Sequence, residues 1–181
     1  TTEIYTLSLH DALPICIRDD VLMMWMEPQQ WHSVIGTSLD GFYNVTRPLL
    51  KGMLVNRFGR IVNIVSLSGI KGLPGQANYA AAKGGVIAAT KALAQEVAKK
   101  GVTVNAIAPG FFLTEQNRAL LTNPDGTYTQ RGQDVIRQTP FGRMGRAEEL
   151  CGTIQYLISD AASFVTGTVA VVDGGFNAFA M

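Results

Sequence analysis

Three side chains stand at spacings that could handle a proton at a reacting carbonyl. Tyr79 and Lys83 are four positions apart, which in a helix puts both on one face, one above the other. An unperturbed tyrosine loses its proton at about pH 10, but an ammonium a few ångströms away favours the phenolate and lowers that value. A phenol so tuned could protonate a carbonyl oxygen as hydride reaches the carbon, or take the proton back in reverse. Taken alone, Y-x-x-x-K is a weak pattern that equally describes an exposed helical pair. Ser66 changes the weighting. It ends an apolar stretch thirteen residues before Tyr79, where a hydroxyl could hydrogen-bond the carbonyl and the phenol together.

The elements that must position these residues follow from periodicity. A short irregular or helical lead-in covers residues 18–26. A long amphipathic helix is predicted over 28–56, opened by Pro28, with Trp31, Ile35, Leu39, Phe42, Val45, Leu49 and Met53 at helical spacing and a kink at Pro48. Residues 60–66 (RIVNIVS) read as a short buried strand and 68–75 as a glycine-rich loop. A second long helix is predicted over 78–100, apolar nearly all round, which implies burial against the sheet on one side and another subunit on the other. Residues 102–107 (VTVNAI) form the next strand, ended by Ala108, Pro109 and Gly110. A long connection over 111–144, with NPDG as its turn signal, is the expected lid. A third helix over 148–159 and a buried strand over 168–172 complete the alternation, the order of a parallel sheet covered by helices.

Composition narrows the function classes. The 181 residues suit one domain, and 15 basic against 14 acidic residues leave no charge imbalance to attract a polyanion or a membrane surface. Cys16 and Cys151 have no metal-ligand or C-x-x-C spacing, which fits a reducing cytoplasm. No apolar run reaches the length of a membrane span. The string TTEIYTLSLHDALPI over residues 1–15 resembles a translated sequencing adapter, so it is set apart from the fold; the alternative is a natural strand over residues 4–9. Setting it apart also removes His10. His32 then stands alone on a polar helical stretch, which speaks against histidine triads and histidine-rich metal sites.

The runs RIVNIVSLSG, GQANYAAAKGG and VTVNAIAPGF resemble, in order and spacing, the core of the short-chain dehydrogenase/reductases, and the resemblance extends from Cys16 to Met181. It implies that Ser66 orients the carbonyl, that Tyr79 is the acid/base, and that Lys83 both tunes Tyr79 and binds the nicotinamide ribose. It further places Pro109 and Gly110 in the turn against the nicotinamide, the Phe112 backbone at the carboxamide, and the Thr114 hydroxyl facing carboxamide and phosphate. Asn63 is expected to be structural. The family usually carries an asparagine on the long helix, holding a water that links the lysine to solvent; here Ser38 stands at that position, either as a tolerated variant that still binds water or as a weakened relay.

The implied fold is α/β: the C-terminal half of a doubly wound Rossmann-type parallel sheet, with three strands retained and helices on both faces, in one catalytic domain over 16–181. The glycine-rich phosphate turn of dinucleotide folds is not found, since Gly69, Gly72 and Gly75 are spaced G-x-x-G-x-x-G and by resemblance border the substrate pocket. The chain is therefore expected to be an N-terminally truncated form that binds its cofactor poorly and turns over little or nothing, with residues 60–66 as an exposed apolar sheet edge. The cofactor implied is NADP or NAD, with NADP favoured by resemblance, and the substrate a small molecule or a carrier-bound acyl group.

Residues 16–111 resemble 3-oxoacyl-[acyl-carrier-protein] reductases most. The stretch FFLTEQNRALLTNPDG resembles sugar-acid or polyol dehydrogenases, including gluconate-type members, and a chimeric join within VTVNAIAPGF is a further alternative. A non-catalytic interaction module is the reading from another class, whereas a serine hydrolase on Ser66 lacks a G-x-S-x-G elbow and a partner histidine. A dimer or tetramer is expected of the complete protein, and neither a nucleic-acid nor a membrane partner.

Overall fold

The computed structural model describes residues 17–178; the adapter-like string, His10 and Cys16 lie outside them. The helical part begins with α1 (Pro28–Ile35), passes through a π-helical turn at Gly36–Asp40 and continues as α2 (Gly41–Asn56). Then follow β1 (Gly59–Ile64), α3 (Ser68–Lys71), α4 (Ala77–Val97) and β2 (Val102–Pro109). After them come α5 (Glu115–Leu121), α6 (Gln130–Gln138), α7 (Cys151–Ile158) and β3 (Val169–Val172).

The three strands are all parallel in the order β1-β2-β3, with Ile64 opposite Ile107 and Pro109 opposite Val172. Because they run the same way, their C-terminal ends share one rim, and the segments leaving that rim are where a site can be built. β2 is the central strand, and every residue from Val102 to Ala108 is buried. Its even-numbered side chains meet α4 and the helix before β1: Val102 and Val104 pack with Ala94, Val97, Leu50 and Met53, and Ala106 and Ala108 with Val86, Leu39 and Phe42. The odd-numbered positions point to the opposite face, and α7 packs against both β1 and β2. Asn105 is buried there without penalty, because its amide donates to the Val165 carbonyl at 2.9 Å and its oxygen accepts the Thr168 N–H at 3.2 Å. The expected α/β parallel sheet with surrounding helices is what the chain forms.

Local readings need correction in several places. The helix expected over 28–56 is interrupted at Gly36–Asp40, whereas α2 continues through Pro48. The glycine-rich loop contains the single turn α3, and the connection over 111–144 contains α5 and α6. The third helix begins as a 3-10 turn, Ala147–Leu150, before α7. β1 is not buried along its length: it stands at one end of the sheet, with Gly59 covered and Ile64 half exposed. β3 is likewise only partly covered. Within the chain α4 buries one face, along Tyr79, Ala82, Val86, Thr90, Ala94 and Val97. Its two interior glycines have a packing use: the Gly69 carbonyl lies 3.4 Å from where a Cβ of Gly84 would sit, and Leu39 lies 3.0 Å from that of Gly85.

Candidate active site

The rim segment after β1 carries Ser66. The Val65 N–H still bonds the Ile107 carbonyl at 2.8 Å, and the chain then turns into α3, whose first residue donates its N–H to Ser66 Oγ at 3.2 Å. This ties one lone pair of the hydroxyl. Ser66 Oγ donates to Ser68 Oγ at 3.4 Å, and Ser68 Oγ itself donates to Gln76 Oε1 at 2.7 Å. Gln76 in turn donates to Asp20 at 2.8 Å.

Tyr79 and Lys83 lie in the first turns of α4, both buried. The ammonium donates to the Ile64 carbonyl at 3.1 Å and lies 5.7 Å from the centre of the Tyr79 ring. Helical spacing thus brings the pair together against the end of β1. Asn78 anchors this end of α4, donating to the carbonyls of Asp19 and Gln30 while its oxygen accepts the Tyr79 N–H at 2.8 Å. The segment preceding α1 brings Arg18 to the same phenol, its guanidinium carbon 5.4 Å from the ring centre.

A third wall comes from the end of β2. Pro109 is its last residue, and the Gly110 N–H bonds the Val172 carbonyl at 2.9 Å. A Cβ on Gly110 would fall 2.7 Å from that of Asp173, so only glycine lets this turn lie flat against the end of β3. Phe112 bridges to Gly145, and Thr114 precedes α5. Asn117 clamps this stretch by donating to the Phe112 carbonyl and accepting the Thr114 N–H, each at 2.8 Å.

These walls enclose a cavity of about 600 Å³ lined by Ser38, Ser66, Tyr79, Lys83, Pro109, Gly110, Phe112 and Thr114, so every residue singled out from the sequence meets in one place. Ser38 sits in the π-helical turn, buried, and its hydroxyl has no protein hydrogen-bond partner. A buried hydroxyl in that condition suits a bridging water. Asn63 also lines the cavity and donates to Thr90 Oγ1 at 2.9 Å. Arg18, Gln76 and Asn117 also line the cavity and were not singled out from the sequence. Of these only Asn117 had a local signal, as the third residue after a helix-opening threonine. Gly69, set aside as a phosphate turn, instead packs on the backbone of Lys83 and Gly84. His32 is exposed on α1, and Cys151 is a free, exposed thiol. Among the described residues no group of metal-ligating side chains is assembled, and no helix is long and apolar enough to cross a membrane.

The donors around the cavity fit the nicotinamide end of a dinucleotide: an ammonium and two hydroxyls on one side, and a flat glycine turn with a clamped backbone on the other. Comparison with known proteins points the same way. A family profile described as Enoyl-(Acyl carrier protein) reductase matches residues 16–177. An acetoacetyl-CoA reductase of Rhizobium meliloti (strain 1021) is 48% identical over 159 residues, which cover 88% of this chain and 64% of that protein. A 3-oxoacyl-[acyl-carrier-protein] reductase of Synechocystis sp. is 43% identical over 164 residues, covering 90% of this chain and 62% of that protein. The crystal structure of a gluconate 5-dehydrogenase from Burkholderia cenocepacia J2315, in complex with NADP and tartrate, superposes with a TM-score of 0.84 at 36% identity, over 90% of this chain and 62% of that one. The chain thus spans somewhat under two thirds of the length of each of these relatives.

Proposed function

Since the chain belongs to the short-chain dehydrogenase/reductase family, we propose that its cavity is the carbonyl-reducing site of an NAD(P)-dependent oxidoreductase acting on 3-oxoacyl thioesters. The observation that carries this reading is the convergence of Ser66, Tyr79 and Lys83 on the cavity, with Lys83 locked to the Ile64 carbonyl. When bound, the nicotinamide supplies hydride to the carbonyl carbon. Lys83 would bind its ribose, the Thr114 hydroxyl would face its carboxamide and phosphate, and the Phe112 backbone would meet its carboxamide.

The protein's own residues handle the oxygen. Ser66, with one lone pair tied to the Ser68 N–H, donates to the carbonyl oxygen and fixes its position. Tyr79 gives that oxygen its proton, and Lys83 keeps the resulting phenolate favourable until the proton is replaced. The Ser38 hydroxyl would hold a water between Lys83 and solvent. Substrate choice falls to residues 111–144, the proposed lid. NADP is the preferred cofactor in this reading, and a homo-oligomer its working form.

The likeness to the gluconate 5-dehydrogenase favours a second reading, oxidation of a sugar acid or polyol at the same site. Initial rates with acetoacetyl-CoA and NADPH, and with gluconate and NADP, decide between the two. In the active pairing, Tyr79→Phe should lower kcat by on the order of 10³-fold. A Tyr79→Phe rate within a few-fold of the unaltered protein would remove the site from consideration.

A further inference from the structure

Two cations stand close to the Tyr79 ring, and only one of them belongs to its own helix. Lys83 approaches at 5.7 Å from the ring centre and the Arg18 guanidinium at 5.4 Å from another element. Arg18 is no loose surface charge. Its side chain is 26% exposed, its Nε is buried without a hydrogen-bond partner, and it lines the cavity beside Tyr79. Asp20 holds it in place at 2.6 Å.

That carboxylate is shared. Gln76 donates to the same oxygen at 2.8 Å, and Arg131 of α6 approaches it at 3.7 Å. Two guanidinium groups thus divide one negative charge, and the cluster beside the phenol keeps a positive balance. Among the described residues, the other charged groups nearby do not reverse it. Asp19 is occupied with the Gln30 amide, and α1, which packs Val34 and Ile35 near Tyr79, brings only the exposed His32. The N-terminal end of α4 adds its own positive dipole, since Tyr79 lies in the first turn.

We propose that Arg18 is a positioning residue of this site, a second cation that with Lys83 stabilises the phenolate of Tyr79 to a degree set by Asp20. The proposal rests on the reading of Tyr79 as the proton-handling residue. An unpaired charge at this distance would move a titration by roughly two units at an effective dielectric of about 20, and pairing with Asp20 cuts that to about half a unit to one unit.

The test is a titration of the whole chain labelled with ¹³Cζ-tyrosine, the Tyr79 resonance being assigned from its loss in Tyr79→Phe. Arg18→Met should raise the midpoint of Tyr79 by about half a unit to one unit, and Arg18→Lys should restore most of the difference. Asp20→Asn should lower the midpoint, because it removes the charge that screens Arg18. Mere loosening of the site would not move these variants in opposite directions. A midpoint unmoved by Arg18→Met, or raised by Asp20→Asn, overturns the proposal. The pH dependence of kcat should follow the same order. If Tyr79→Phe matches the unaltered protein in rate, the functional reading fails while the titration still decides the role of Arg18.

Discussion

The cavity is walled by two regions built in different ways. On one side, β1, β2, α3 and α4 form a corner in which polar side chains are buried and bonded to one another: Ser68 to Gln76, Lys83 to the Ile64 carbonyl, and Asn105 to two backbone groups. On the other side, α5 and α6 make a small unit with a core of its own, Leu121, Val135 and Met144, covered by Phe111, Leu113 and Ile136. Its ion pairs are exposed and local, such as Arg118 with Glu115 and Arg137 with Asp134. Its contacts with the rest include the Phe112–Gly145 bridge, the Phe141 N–H bond to the Gly174 carbonyl at 3.1 Å, the Phe111–Phe176 ring pair at 5.0 Å and the Arg131–Asp20 contact. Residues that would move a proton are thus held by α4 and the end of β1, while those that would choose a substrate sit on a unit with a core of its own.

The contrast can be broken most directly at Leu121. Leu121→Ala removes the centre of the lid core and should cost about 3 kcal/mol there. Amide exchange should rise through residues 115–138 while β2 keeps its protection. If the sheet loses protection along with the lid, the two regions are one cooperative unit. Gly69→Ala probes the opposite side. Its Cβ would lie 2.8 Å from the Gly84 nitrogen and the Lys83 carbonyl carbon, so α3 must leave α4. We expect a loss of about 2 kcal/mol in global unfolding by urea, with exchange rising across α4, β1 and β2 together.

A smaller effect concerns the join at the far end of the lid. Arg143 grips both oxygens of Glu149 at 2.6 and 2.8 Å, and the Arg146 N–H bonds the same carboxylate at 2.8 Å. The hydrogen bond from Arg143, followed by that from the Arg146 backbone, holds the Glu149 carboxyl at about 2, below its ordinary 4.5. A depressed folded value contributes stability that is complete above the ordinary value and is lost as pH falls toward 2. Lid protection should therefore fall across that window in the wild type, and Glu149→Gln should flatten the dependence. The smallest change is expected from Arg131→Met. An exposed ion pair of 3.7 Å is worth at most about 0.5 kcal/mol. Exchange in α6 should quicken slightly with no shift in the unfolding midpoint; a shift comparable to that of Gly69→Ala would show the latch to be structural.

What could be read in the sequence divides along the same line. Tyr79 and Lys83 were legible because a helix makes four-residue spacing a statement about proximity, and β2 because its short run is rich in β-branched and apolar residues, as a strand covered on both faces requires. Arg18 and Gln76 were not, because their meaning depends on contacts made far along the chain: Gln76 reaches Asp20 across 56 residues. In α5 and α6 the stretches are only 7 and 9 residues long, and the latter is mostly polar, so they carry little periodic signal against a connection. The single turn α3 was hidden by Gly69 within it.

The π-helical turn at Gly36–Asp40 escaped detection because one extra residue barely disturbs the spacing of an apolar stripe. Its effect is rotational. Before it, Val34 and Ile35 lie against Tyr79 and Ala82; after it, Leu50, Met53 and Leu54 lie against Ala94 and Val97 near the other end of α4. One rod thereby addresses two contact points that differ in azimuth, as a shaft with a twisted coupling drives two gears set at different angles. Deleting Thr37 would leave a regular helix, yet turn one end away by about 100° relative to the other. The irregular turn is what allows a single helix to serve both ends of α4 and to present Ser38 to the cavity between them.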